Sequence, residues 1–168
     1  MCFTPRMHLR IGMITLTALL ALSPCSFGSA LKKDKATISF HMEAQSTDNP
    51  KMIFPVTMNG QERVFSRAPE FTLKDMASFR PFPSKNNPNQ FGIAIYLKPH
   101  DAKRLSMTTN ANQGRWLAAK INGRTVDVTI INAQVNDSTL VIWDNLTLAD
   151  IASIEKALPR VKAKTNPE

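Results

Sequence analysis

Apolar and polar positions alternate with a period of two through most of this chain and change to helical spacing in three places. Ala36-Thr37-Ile38-Ser39-Phe40-His41-Met42 alternates as a strand with one buried face does. Lys51 to Met58 and Gln61 to Arg67 flank Asn59-Gly60, a pair whose tolerance of positive φ predicts a β-hairpin. Pro55 lacks a backbone donor and marks the first arm as an edge strand. Thr72-Leu73-Lys74-Asp75 then has the form of a capping box, with Phe71 as a hydrophobic staple, and predicts a short helix ending before Arg80-Pro81-Phe82-Pro83. From Arg80 to Gln90 the proline and asparagine content predicts a loop.

Phe91 to Lys98 alternates again, with Ile93, Ile95 and Leu97 on one face. Pro99 can start a helix that turns Ala102, Leu105 and Met107 inward and stops at Gly114. Trp116 to Ile121, Asn122-Gly123 and Arg124 to Gln134 predict a second hairpin. Asn136-Asp137 turns into a strand from Thr139 to Trp143, and Thr147 caps a last helix whose buried stripe is Leu148, Ile151, Ile154 and Leu158. Pro159 closes it. The fold class is therefore α+β: a mixed or antiparallel sheet of hairpins with two or three helices packed on one face. Thr72-Leu73-Lys74-Asp75-Met76-Ala77-Ser78 also echoes Thr147-Leu148-Ala149-Asp150-Ile151-Ala152-Ser153. Either a ββα unit is duplicated, or two helix starts converged on the same capping chemistry.

The first thirty residues follow another logic. Arg6, His8 and Arg10 are basic, Ile11 to Leu22 is an uncharged apolar run, and Ser23-Pro24 breaks it. Small residues follow, with Gly28 and Ala30 placed at −3 and −1 for a signal peptidase. The expected organisation is a signal peptide over 1–30 cleaved after Ala30, a basic segment over 31–36, one domain over 37–158 and a flexible basic tail over 159–168. Two alternatives stay open. One is an uncleaved anchor, although the run is short for a membrane span. The other is lipidation of Cys25, since Leu22-Ser23-Pro24-Cys25 resembles a lipoprotein signal apart from Pro24.

Export changes the chemistry of what remains. Both cysteines, Cys2 and Cys25, leave with the signal, so the mature chain has neither disulfides nor thiols. Loss of Arg6 and Arg10 lowers the formal charge from +8 to about +6. Basic residues cluster only at the ends, Lys32-Lys33-Asp34-Lys35 and Arg160 to Lys164, without the aromatic interleaving of a nucleic-acid surface.

No catalytic or phosphate-binding motif stands out. His41 and His100 are the only mature histidines, and no further ligands at zinc spacing accompany them, so both read as surface residues. Asp101, Asp127, Asp137, Asp144 and Asp150 sit beside turns and helix starts, where aspartate serves local hydrogen bonding. Trp116 and Trp143 read as core or core edge. The Arg80–Gln90 loop, with Arg80, Phe82, Asn86 and Asn87, is the candidate binding element. No cofactor and no metal are expected.

From Phe71 to Leu158 the ordered pattern resembles a known family. Leu73 with Asp75-Met76 comes first, then Ile93-Ala94-Ile95-Tyr96-Leu97, Ala102, Thr109-Asn110 and Gly114. Leu117-Ala118, Asn122-Gly123, Ile130-Ile131 and Leu146-Thr147 before Ile151 complete it. The pattern is similar to the head part of the first periplasmic domain of SecD, the membrane subunit that assists protein export in bacteria. Members usually carry Ala-Pro where this chain has Asp127-Val128-Thr129, and a glycine near Asn136-Asp137. Nothing in the sequence resembles SecD's membrane helices. The resemblance implies a stand-alone head domain in the bacterial periplasm or cell envelope that contacts polypeptide segments or a partner protein without catalysis. Asp75, Thr109, Asn110, Gly114, Gly123 and Thr147 are the pattern residues, mainly structural in role. A small envelope enzyme built on His41, His100 and the aspartates is the alternative, and a lipid-anchored structural module a further one.

Overall fold

The computed structural model describes residues 36–58 and 60–161. The expected signal peptide, its cleavage point after Ala30, Cys25, Lys32 to Lys35 and residues 162–168 of the tail lie outside the described residues.

Among the described residues nine strands and two α-helices make an α+β fold whose sheets are antiparallel. The first sheet runs in the order β4 (Phe71–Thr72), β1 (Ile38–Met42), β7 (Trp116–Ile121), β8 (Arg124–Ile130). Its β7–β8 turn places Asn122 at φ 50° and Gly123 at φ 79°, the two consecutive positive φ values that the Asn-Gly pair tolerates. Asn122 also receives the Thr37 N–H on its side-chain oxygen at 3.0 Å, tying the turn to the start of the domain.

The earlier hairpin in the chain, β2 (Ile53–Met58) with β3 (Gln61–Ser66), pairs Met58 with Gln61 and has Gly60 at φ 76°. It lies over the first sheet, where Phe54, Phe65 and Ala118 form a small buried cluster edged by Val56, Trp116 and Val128. The third sheet is β5 (Met76–Pro83), β6 (Phe91–Leu97) and β9 (Thr139–Leu146), with β6 central.

Alternation in β6 sends Ile93, Ile95 and Leu97 inward, where they meet Phe79, Leu140 and Ile142 from the neighbouring strands and Ile38, Phe40 and Ile121 from the first sheet. Leu105 of α1 (Pro99–Ala111) and Ile151 and Ile154 of α2 (Leu148–Glu155) complete this core. Each such side chain contributes about 1.5–3 kcal/mol by leaving water.

Several expectations need correction. The helix after Thr72 is one 3-10 turn, Leu73–Asp75, and the chain then runs as β5. A register shift between Met76 and Ser78 puts the buried Met76 and Phe79 three residues apart, which imitates helical spacing. Arg80 to Pro83 is therefore strand, and the loop is only Ser84–Gln90. Pro81 and Pro83 are tolerated because β5 is an edge strand. The two echo segments share their caps: the Thr72 N–H meets Asp75 Oδ2 at 2.7 Å, and the Thr147 N–H meets Asp150 Oδ2 at 2.9 Å. Only the second continues into a helix, so they do not form matching ββα units.

Met107 is exposed because it lies about 200° around α1 from the buried Leu105. Leu148, the first residue of α2, is also exposed rather than part of the buried stripe.

Candidate functional site

The inner face of the β5–β6–β9 sheet is core, and among the described residues no element covers its outer face. Alternation places Arg80 and Phe82 of β5, Ala94 and Tyr96 of β6, and Thr139, Val141 and Trp143 of β9 on that outer side. Together with Pro83, Lys85, Asn86 and Asp137 they line an open groove of about 720 Å³. Trp143, expected in the core or at its edge, is 59 % exposed, because Leu140 and Ile142 occupy the inward positions of β9. Its ring meets that of Phe82 edge-on, with centroids 6.2 Å apart.

Gly92 makes this meeting possible. A methyl group at position 92 would overlap the Phe82 ring and the Trp143 carbonyl, so only glycine lets the two aromatic residues reach each other across the central strand.

The loop beside the groove is held by its own hydrogen bonds. Ser84 Oγ accepts the backbone N–H of Asn86 at 3.1 Å and that of Asn87 at 3.3 Å. Asn86 Nδ2 donates to Asp144 Oδ2 at 3.2 Å and so fastens the loop to β9. With the Asn145 N–H as the largest cause and Ser84 and Asn86 assisting, Asp144 is held below the ordinary carboxylate range. Asn87 accepts the Asn89 N–H at 3.0 Å and shapes the loop without lining the groove.

Trp143 also borders a second space. The edges of β8 and β9 belong to different sheets and are laced at one end by side chains. Trp143 N–H donates to Asp127 Oδ2 at 2.8 Å, and Asn145 Nδ2 donates to the Val126 carbonyl at 3.1 Å. Towards Ile130 and Thr139 they border a cavity of about 280 Å³, walled by Leu117, Ile131, Leu140 and Trp143, with Thr109, Thr129 and Gln134 among its polar residues and Asp127 as its carboxylate. Burial pushes the Asp127 carboxyl above its ordinary value against the lowering effect of the Trp143 and Val128 N–H groups; Asp144 adds to the rise. No ion pair among the described residues includes Asp127.

The pattern residues hold the scaffold away from the groove, although Thr109 also reaches the wall of the second cavity. Asp75 closes its cap and pairs with Arg104 at 3.1 Å. Thr109 donates to the Leu105 carbonyl at 2.8 Å and accepts the Val135 N–H at 2.9 Å, joining α1 to the segment between β8 and β9. Gly114, at φ 82°, donates its N–H to the Ile131 carbonyl at 2.8 Å, three residues past the end of α1. Asn110 is exposed, Gly123 completes its turn, and Thr147 caps α2.

The histidines do not meet in the groove. His100 is exposed at the start of α1, whereas His41, expected at the surface, is only 6 % exposed beneath the β2–β3 hairpin. Its Nδ1 lies 2.8 Å from the Ser66 carbonyl and its Nε2 2.8 Å from Ser39 Oγ. Among the described residues no group of three His, Cys, Asp or Glu could hold a metal ion.

Two solved structures share this architecture. One is described as the structure and function of a membrane component, SecDF, that enhances protein export. It has a TM-score of 0.54 and 17 % identity over 87 % of this chain and 78 % of that chain. The other, SecDF in a super-membrane-facing form, has a TM-score of 0.54 and 16 % identity over 75 % of this chain and 19 % of that chain. The fold is SecDF-like. No family model matches the chain, and no curated protein matches its sequence. Among the described residues of this SecDF-like domain no helix is long and apolar enough to cross a membrane.

Proposed function

We propose that this protein is an exported, non-catalytic binding domain that engages extended polypeptide segments, or a partner protein presenting one, in the cell envelope during protein export. The observation that carries the proposal is the outer groove of the β5–β6–β9 sheet, with Trp143 exposed against Phe82. An uncovered sheet face with an aromatic pair at one end and ordered polar groups at the rim suits an apolar segment. The SecDF-like fold supports a role in export. In the test, a Trp116→Phe background leaves Trp143 as the only tryptophan, and the protein is titrated with a permanently unfolded polypeptide. Binding is expected to shift the Trp143 emission, and Trp143→Ala, followed by titration calorimetry, is expected to weaken binding about tenfold or more, the loss of a central aromatic anchor. Equal affinity with Trp143→Ala, or no binding, contradicts the proposal.

Location is part of the same reading. We place the mature N-terminus at Leu31, after cleavage at Ala30, with an acylated Cys25 as the tethered alternative. The intact mass of the envelope fraction distinguishes these two, and a full-length chain confined to the cytoplasm contradicts export.

A further inference from the structure

We propose that the seam between β8 and β9 selects segments that carry a lysine or arginine, with Asp127 as the residue that receives the cation. This rests on the reading of the adjoining groove as a polypeptide surface, and it names the side chain that surface prefers.

Asp127 is the carboxylate in the walls of an otherwise mainly apolar cavity. A carboxylate drawn partly out of water is unfavourable unless it is paired. Here it receives the Trp143 N–H at 2.8 Å and faces no Lys, Arg or His in an ion pair among the described residues. Burial penalises its charged form, and a bound cation would relieve that penalty.

The approach is also shaped for a cation. Trp143, Val141 and Thr139 line both the seam and the groove, so a segment lying in the groove can send one long side chain past the indole into the seam. The face of an indole attracts an ammonium or guanidinium group. Apolar walls suit the methylene stem of lysine or arginine, whose charged end then reaches Asp127. Charge across the groove reinforces the direction. Arg80 and Lys85 stand on the β5 side of the groove, whereas Asp137 lines it beside Thr139 of β9 and Asp127 lines the adjoining seam. A basic side chain is therefore favoured at the seam and disfavoured at the opposite rim. A metal ion is a poor occupant, because Asp127 belongs to no group of three metal-ligating residues among those described.

The experiment uses two blocked peptides of alternating leucine and serine that differ at one central position, lysine in one and norleucine in the other. Each is titrated against the whole protein and against Asp127→Asn, whose amide oxygen can still accept the Trp143 N–H. The unvaried protein is expected to bind the lysine peptide about tenfold more tightly than the norleucine peptide, the scale of one charge-assisted contact. Asp127→Asn is expected to abolish that difference. Equal affinities in the unvaried protein, or a lysine preference that survives Asp127→Asn, overturn the assignment while leaving the groove in place. Failure of both peptides to bind overturns it together with the reading of the groove. A correctly folded Asp127→Asn is established independently by an unchanged near-ultraviolet spectrum. Free lysine competing as well as the lysine peptide also overturns it, since the seam would then recognise a cation without a chain.

Discussion

His41 shows what a single residue contributes here and why the sequence alone misplaces it. Along β1 it alternates with Phe40 and Met42 and so falls on the face that a lone sheet would leave wet. The β2–β3 hairpin covers that face, bringing the Phe54 ring edge-on at 5.2 Å and the Ser66 carbonyl to Nδ1. A carbonyl can only accept, so Nδ1 carries the proton and Nε2 accepts from the Ser39 hydroxyl. Burial lowers the pKa of His41 from 6.5; the Ser66 carbonyl opposes this and Lys120 adds to it. The folded state therefore disfavours the protonated ring more than the unfolded state does. The stability this neutral histidine contributes is complete above 6.5 and is lost as pH falls through the lower folded value. Thermal melts from pH 8 to pH 4.5 are expected to show a steeper fall for the unvaried protein than for His41→Gln, which does not titrate. At pH 8 His41→Gln is expected to be less stable by about 1–2 kcal/mol, through imperfect replacement of two buried hydrogen bonds. Parallel curves would contradict the assignment.

At the scale of elements, regular alternation is what made strands legible. β1, β6, both Asn-Gly hairpins and the capped α2 follow their local patterns because each is specified by neighbours in sequence. β5 was not legible, because its bulge spaces Met76 and Phe79 as a helix would and its prolines imitate a loop. The same misreading split the candidate site. Arg80, Phe82 and Asn86 drew attention as loop residues, and the structure gathers them in the groove, with Arg80 and Phe82 on a strand. Trp143 was missed there, although a signal exists: it shares the phase of Thr139 and Val141, opposite the inward Leu140 and Ile142. Asp127 reads in the sequence as a turn-side residue, whereas it lies within β8 and takes its environment from β9, which is distant in sequence. Gly92 carries the prediction at this scale. Gly92→Ala is expected to expel the Phe82 ring, cost about 1–3 kcal/mol in stability by overpacking and weaken polypeptide binding. Urea unfolding and the titration above measure the two effects, and unchanged values for both would show that the Phe82–Trp143 contact does not organise the groove.

Across the whole molecule the sheet edges are guarded while one sheet face stays open. The β5 edge is closed at Phe79, whose N–H donates to the Pro159 carbonyl at 3.1 Å and whose carbonyl accepts the Val161 N–H at 2.8 Å, and beyond it by Pro81 and Pro83, which have no donor. Pro55 lies in β2, which among the described residues pairs only with β3. Such edges discourage indiscriminate strand pairing, which agrees with the proposal that contact with other chains falls on the outer face of the β5–β6–β9 sheet and the seam beside it. The central claim is that this face receives extended polypeptide. Its most direct measurement is backbone amide NMR of the whole protein during titration with a permanently unfolded polypeptide. The account predicts saturable shifts concentrated at Arg80, Phe82, Ala94, Tyr96, Val141 and Trp143, with α1 and the β2–β3 hairpin unmoved. Shifts confined to α1 or to that hairpin, or none at all, would contradict it.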